Sequence, residues 1–146
     1  MLSKSTEYAI RSLIYVQLRN KEEKRPGVEE IATEIGAPVA YTAKILHTLT
    51  THTLLNSMKG RGGGFFFEKN QSDLTLYDVV KVMEGNAVFH KCGFGLKKCS
   101  DDNPCPLHDK YKLIREEYFD IAKTETIESL SQKIKEGKAV LSLPDD

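Results

Sequence analysis

No run of about 18 apolar residues occurs in the chain, so no helix is expected to span a membrane. Net charge is missing too: 21 Lys and Arg balance 21 Asp and Glu over 146 residues. That balance excludes disorder driven by self-repulsion and a globally basic nucleic-acid binder, while leaving room for a local basic face. Cysteine is scarce, and three thiols cannot all pair within one chain, so a disulfide framework is excluded. The opening MLSKSTEYAIRSLIYVQL is apolar in part, but Glu7 and Arg11 interrupt it and no small-residue cleavage site follows. An amphipathic helix is expected there, not a signal peptide. A cytoplasmic location is expected in turn, where thiols stay reduced and open to metals or redox chemistry. No internal repeat, Ser/His/Asp order, carboxylate pair or nucleophile elbow is present, so no enzyme is expected.

What is present is mainly helical, at a length suited to one domain with a helical extension. Ser3 or Ser5 can cap a first helix whose apolar positions Ile10, Leu13, Ile14 and Leu18 recur at helical spacing. A polar loop closed by Pro26-Gly27 leads to a short helix over Val28–Ile35, stopped by Gly36. Pro38 suits the first position of the next helix, which runs to about His52 with Ala43, Leu46 and Leu49 turned inward. Two short helices around a tight glycine turn predict a helix-turn-helix. Leu54, Leu55 and Met58, then Gly60-Arg61-Gly62-Gly63-Gly64, then Phe65-Phe66-Phe67 predict a β-hairpin. The fold class is therefore mainly α with a small β wing: a winged helix-turn-helix over residues 1–83.

A fourth helix is expected over Leu76–Met83, started by Thr75. Residues 84–106 have no periodicity and form a long loop that carries all three cysteines. Leu107, Tyr111, Ile114, Tyr118 and Ile121 then alternate in steps of four and three, a heptad seam on a helix of about four turns. Too short to be stable alone, this helix should pack against a second copy or against the first helix. Thr126 can cap a short final helix, completing a dimerisation unit over 107–137, and residues 138–146 are expected to be a flexible tail.

Two constellations could carry chemistry. In a winged helix the recognition helix enters the major groove by its N-terminal half, here Val39, Ala40, Tyr41, Thr42 and Lys44. Tyr41 and Lys44 could reach phosphates and Thr42 a base edge, while Lys59 and Arg61 at the wing tip suit a neighbouring minor groove. Between Pro38 and Lys69 the cations are opposed only by Glu68, a local basic module in a neutral protein. The second constellation is Cys92, Cys99 and Cys105 with His108 three residues on. Soft thiolates select zinc, copper(I) or iron–sulfur clusters. The spacing lacks the close cysteine pairs of structural zinc sites. Wide spacing on a glycine-rich loop suits a cluster, with His108 or Glu7 as the missing fourth ligand. Lys91, Lys97 and Lys98 would favour thiolates whether the cysteines hold metal or react as free thiols.

The stretches STEYAIRSLIYV, VEEIATEIGAPVAYTAKILHTLTTHTLLNSMKGRGGGFFF and LTLYDVVKVMEG, with the cysteine loop ending CPLHDKYKLIRE, resemble the Rrf-two family of bacterial winged-helix transcription regulators. The resemblance runs to about Lys135. It implies a homodimer held by the long helix, bound to a partly palindromic double-stranded operator, and no membrane. It also implies an iron–sulfur cluster on the three cysteines, two-iron rather than four-iron, whose response to nitric oxide, redox or iron status gates a repressor. By position, His108 resembles the completing histidine of IscR-like members, and Glu7 lies where NsrR-like members offer an aspartate from the partner subunit. Two departures stand out: the first cysteine spacing is one residue longer than in many members, and Ala43 replaces an operator-discriminating glutamate. The family also contains members without a cluster, so a thiol- or partner-protein-controlled regulator is the alternative.

Overall fold

The computed structural model describes residues 2–69 and 71–146. Helix α1 (Lys4–Lys21) begins at Ser3, whose hydroxyl accepts from the Thr6 amide at 3.2 Å. It runs through the middle of the core, with Ala9, Leu13 and Val16 fully buried. Around it pack α2 (Val28–Ile35), α3 (Val39–Thr51), α4 (Leu76–Glu84) and α6 (Ile127–Lys135). The α2–α3 turn closes at Gly36, whose φ of 69° is the left-handed conformation glycine adopts without steric cost.

Helix α3 departs from expectation in two ways. Pro38 sits at the N-cap, and Val39 is the first helical residue. The buried stripe is Thr42, Ile45, Leu46 and Leu49, whereas Ala43 faces outward. The two-stranded wing follows, β1 (Asn56–Met58) paired antiparallel with β2 (Gly64–Phe66), Ser57 opposite Phe65. Its base is tied to the end of α1 by Asn20, whose side chain donates to Phe65 O and accepts from Phe67 N at 2.9 Å.

Helices α4 and α6 start side by side. Thr75 with Asp78, and Thr126 with Ser129, form reciprocal caps. Leu76 N donates to Glu125 O and Ile127 N to Leu74 O, both at 3.0 Å, so the two starts are stapled together. Between them α5 (His108–Thr124) packs against α4 and the short turn Ala87–Phe89, which interrupts the expected loop. Phe89 is buried there, its ring 5.2 Å from that of Tyr118 and 5.4 Å from that of Phe119.

The heptad seam is divided. Tyr118 stacks on Phe89, and Tyr111 covers Gly93, where a Cβ would meet the tyrosine ring at 2.4 Å. Leu107, Ile114 and Ile121 instead face outward, joined by Leu113. The segment expected as a flexible tail also differs: Leu141 packs on the core and its carbonyl accepts from Arg11 Nε at 3.0 Å. Among the described residues no helix is long and apolar enough to cross a membrane.

Candidate metal centre and nucleic-acid interface

The cysteine loop is held at both ends, by Phe89 in the aromatic cluster and by His108 as the first residue of α5. Cys92 is buried, and backbone N–H groups of Leu96, Phe94 and Gly95 turn towards its sulfur, with Phe94 N at 3.4 Å. These amides, and the thiol of Cys105, hold the Cys92 thiol below its ordinary pKa against the opposing effect of desolvation.

Cys99 lies in a second arrangement. His108 Nδ1 is 3.5 Å from Cys99 Sγ, and Arg115 Nη2 approaches the same sulfur at 3.3 Å. Arg115 also donates to Lys91 O at 2.9 Å, tying α5 to the loop beside Cys92. On the far side of the imidazole, His108 Nε2 is 2.7 Å from Asp101 Oδ1, which Lys112 also meets at 3.0 Å. Hydrogen bonds from His108 and Lys112 hold the Asp101 carboxyl below its usual range, and Asp101 in turn raises Lys112. An open cavity of about 240 Å³ lies against Cys99, His108, Lys112 and Arg115.

Cys92 with Cys105, and Cys99 with His108, therefore form two donor pairs around the start of α5. Among the described residues no three His, Cys, Asp or Glu side chains already converge as a metal-binding group. The donor set itself fits an iron–sulfur group: three thiols, amides directed at a sulfur, a cation beside another, and an imidazole with one nitrogen turned to Cys99. Glu7 stands apart, exposed on α1 and paired with Lys4 at 3.7 Å.

Sequence spacing carried a signal for part of this. Lys112 and Arg115 follow His108 by four and seven residues and so share its helix face. Asp101 and Phe89, inside an aperiodic loop, had none.

In the winged helix, Val39, Ala40 and Lys44 project from the start of α3, and Lys59 and Arg61 from the wing tip, all exposed. Tyr41 is half-buried, its ring edge-on to Tyr8 at 5.7 Å. Thr42, expected to reach a base, is instead fully buried and spends its hydroxyl on Pro38 O at 2.9 Å. It lies three, four and seven residues before Ile45, Leu46 and Leu49, on the core stripe. A cation the sequence did not single out is exposed at the wing: Arg25, stacked 4.0 Å over the ring of Phe66.

The profile of the Rrf2 family, described as iron-dependent transcriptional regulators, matches residues 2–133. The chain belongs to the Rrf2 family. It is 30% identical over 132 residues to a putative HTH-type transcriptional regulator of Aquifex aeolicus, covering 89% of this chain and 90% of that protein. Two solved structures share the fold. CymR, the global cysteine regulator of B. subtilis, superposes with a TM-score of 0.73 at 18% identity, over 90% of this chain and 96% of that one. T. potens IscR superposes with a TM-score of 0.72 at 16% identity, over 96% and 92%. This Rrf2 protein is thus a transcriptional regulator with a winged helix, and not an enzyme.

Proposed function

We propose that the protein is a cytoplasmic, homodimeric repressor whose affinity for a partly palindromic DNA operator is gated by an iron–sulfur cluster held by Cys92, Cys99, Cys105 and His108. The observation that carries the ligand set is the setting of the His108 ring. Its Nε2 faces the Asp101 carboxylate at 2.7 Å and its Nδ1 faces Cys99 Sγ at 3.5 Å, the carboxylate-behind-imidazole arrangement that orients metal-ligating histidines. A two-iron cluster is the better match to a mixed Cys and His donor set. Glu7 would have to be supplied by the partner subunit, and its carboxylate would lower the potential relative to neutral His108.

When bound, the cluster supplies a centre reactive towards nitric oxide or oxygen and sensitive to iron supply. The chain's own part is mechanical. Phe89, Gly93 under Tyr111, and Arg115 fasten the loop to α5, so the order of the loop and the setting of α5 are linked. In a dimer built on α5, that setting fixes the separation of two recognition helices, which must lie about 34 Å apart to meet successive major grooves. A 100-fold change in operator affinity requires about 2.7 kcal/mol of differential stabilisation between the two settings.

The test is anaerobic DNA binding before and after treatment with iron and sulfide, on a duplex enriched by the protein from a random library. Wild type should change its affinity about tenfold or more, and Cys92→Ala should not. Equal behaviour of the two would refute gating. Loss of cluster retention in His108→Ala but not Glu7→Ala assigns the fourth ligand to His108; the reverse assigns it to Glu7. The Arg115 guanidinium, 3.3 Å from Cys99 Sγ, also suits a cluster-free regulator that senses oxidation at Cys99 and Cys105. Protein that stays colourless and iron-free after reconstitution would select that second reading.

A further inference from the structure

Residues 139–146 turn back across the helix-turn-helix. Leu141 packs on the core and gives its carbonyl to Arg11 Nε at 3.0 Å. Leu143 and Asp146 close a tight turn: Asp146 N donates to Leu143 O at 3.0 Å, and Leu143 N to Asp146 Oδ2 at 2.6 Å. The turn rests directly on Gly36, where an added Cβ would lie 2.7 Å from the carbonyl carbon of Asp146. Gly36 stands two residues before Pro38, the N-cap of the recognition helix. Asp146 faces Arg11 Nη2 at 3.7 Å, and that nitrogen is buried without a hydrogen bond.

The segment thus brings Asp145 and Asp146, both exposed, to the end of the recognition helix that presents Val39, Ala40 and Lys44. That end carries the positive pole of the helix, and its first turn contains no acidic residue and no side-chain cap. A DNA backbone approaching it brings phosphates to the same neighbourhood, where like charges repel and Arg11 is already engaged.

We propose that residues 139–146 are an autoinhibitory acidic strap that competes with DNA for this end of the helix-turn-helix. The inference rests on the DNA-binding reading above, and goes beyond it by assigning a role to a segment outside both the cysteine site and the wing. In this regulator the strap lowers affinity for all duplexes alike, leaving discrimination among sequences to the recognition helix. DNA binding expels it and frees Arg11.

The test compares wild type, a chain shortened to end at Lys138, and the full-length double variant Asp145→Asn with Asp146→Asn, each titrated with a short random-sequence duplex. The double variant retains Leu141 and so guards against a folding defect in the shortened chain. Both altered proteins should bind roughly three- to tenfold more tightly than wild type at about 50 mM salt, with the gap closing towards about 200 mM. Hydrogen exchange at Asp146 and Leu143 should be slow in free wild type and accelerate on adding the duplex. A double variant that binds no more tightly than wild type, or strap amides equally protected with DNA, overturns the strap alone. Wild type that binds no duplex at low salt overturns the DNA-binding reading itself.

Discussion

Replacing Ile114 by glutamate should turn the proposed homodimer into monomers. Leu113, Ile114 and Ile121 leave 68%, 58% and 45% of their surface exposed on one face of α5, although each is aliphatic. Full burial of such a side chain contributes about 1.5–3 kcal/mol, so covering what these three expose contributes about 3–5 kcal/mol per protomer. A two-fold interface uses the face twice, and Ile114 therefore accounts for about 2–3 kcal/mol of dimer stability from area alone. A carboxylate at this position forfeits that amount and adds the cost of desolvating a charge. The sum is at least about 3 kcal/mol, or a more than 100-fold weaker dimer. Sedimentation equilibrium across a micromolar concentration series reads it directly, with Ile114→Val as the control that stays dimeric. A glutamate variant that sediments with the wild-type dimer would refute the assignment of this face, as would a monomeric wild type.

Other perturbations probe the remaining parts. Arg61→Ala should weaken binding to specific and random duplexes alike and reduce the salt slope by about 1, since a wing-tip phosphate contact releases one counterion; selective loss of specific binding in a salt titration would contradict that role. Leu46→Ala, at a fully buried position of the recognition helix, should cost about 2–5 kcal/mol in urea denaturation; a loss below about 1 kcal/mol would mean the helix is not fixed by this core. Glu84 accepts from Ser3 N and from the hydroxyls of Ser3 and Thr6, and although burial opposes it, these bonds hold its carboxyl below the ordinary 4.5. Its contribution is fully present above that value and is lost as pH falls through the lowered one. Glu84→Gln should therefore be less stable than wild type at neutral pH, by about 1 kcal/mol for this partly exposed group, with the difference vanishing in acid; a pH-independent difference in melting would sink the reading.

The winged helix was legible in the sequence because its signals are local: Ser3, Gly36, Thr75 and Thr126 mark helix ends by capping chemistry, and Gly60 to Gly64 mark a hairpin tip. The errors arose where residue type and position disagree. Thr42 looks like a polar reader, but a β-branched hydroxyl can return to the carbonyl four residues earlier and be buried at little cost. Ala43 is apolar yet faces outward, a small residue that says little about burial.

The cysteine site was half legible. Three thiols and His108 declare themselves by type, whereas Asp101 and Arg115 gain meaning only when the loop folds back on α5 and brings them to the two sides of the His108–Cys99 pair. The strap was not legible at all, since its partners Arg11 and Gly36 lie more than a hundred residues away in sequence.

An anaerobic absorption spectrum with iron and sulfide quantitation, on wild type and Cys92→Ala side by side, tests the proposed metal centre most directly. A cluster held by these cysteines gives visible charge-transfer bands and matched iron and sulfide in wild type, both lost in the variant. Iron-free, colourless wild type after reconstitution, or a variant that keeps the bands, would contradict it.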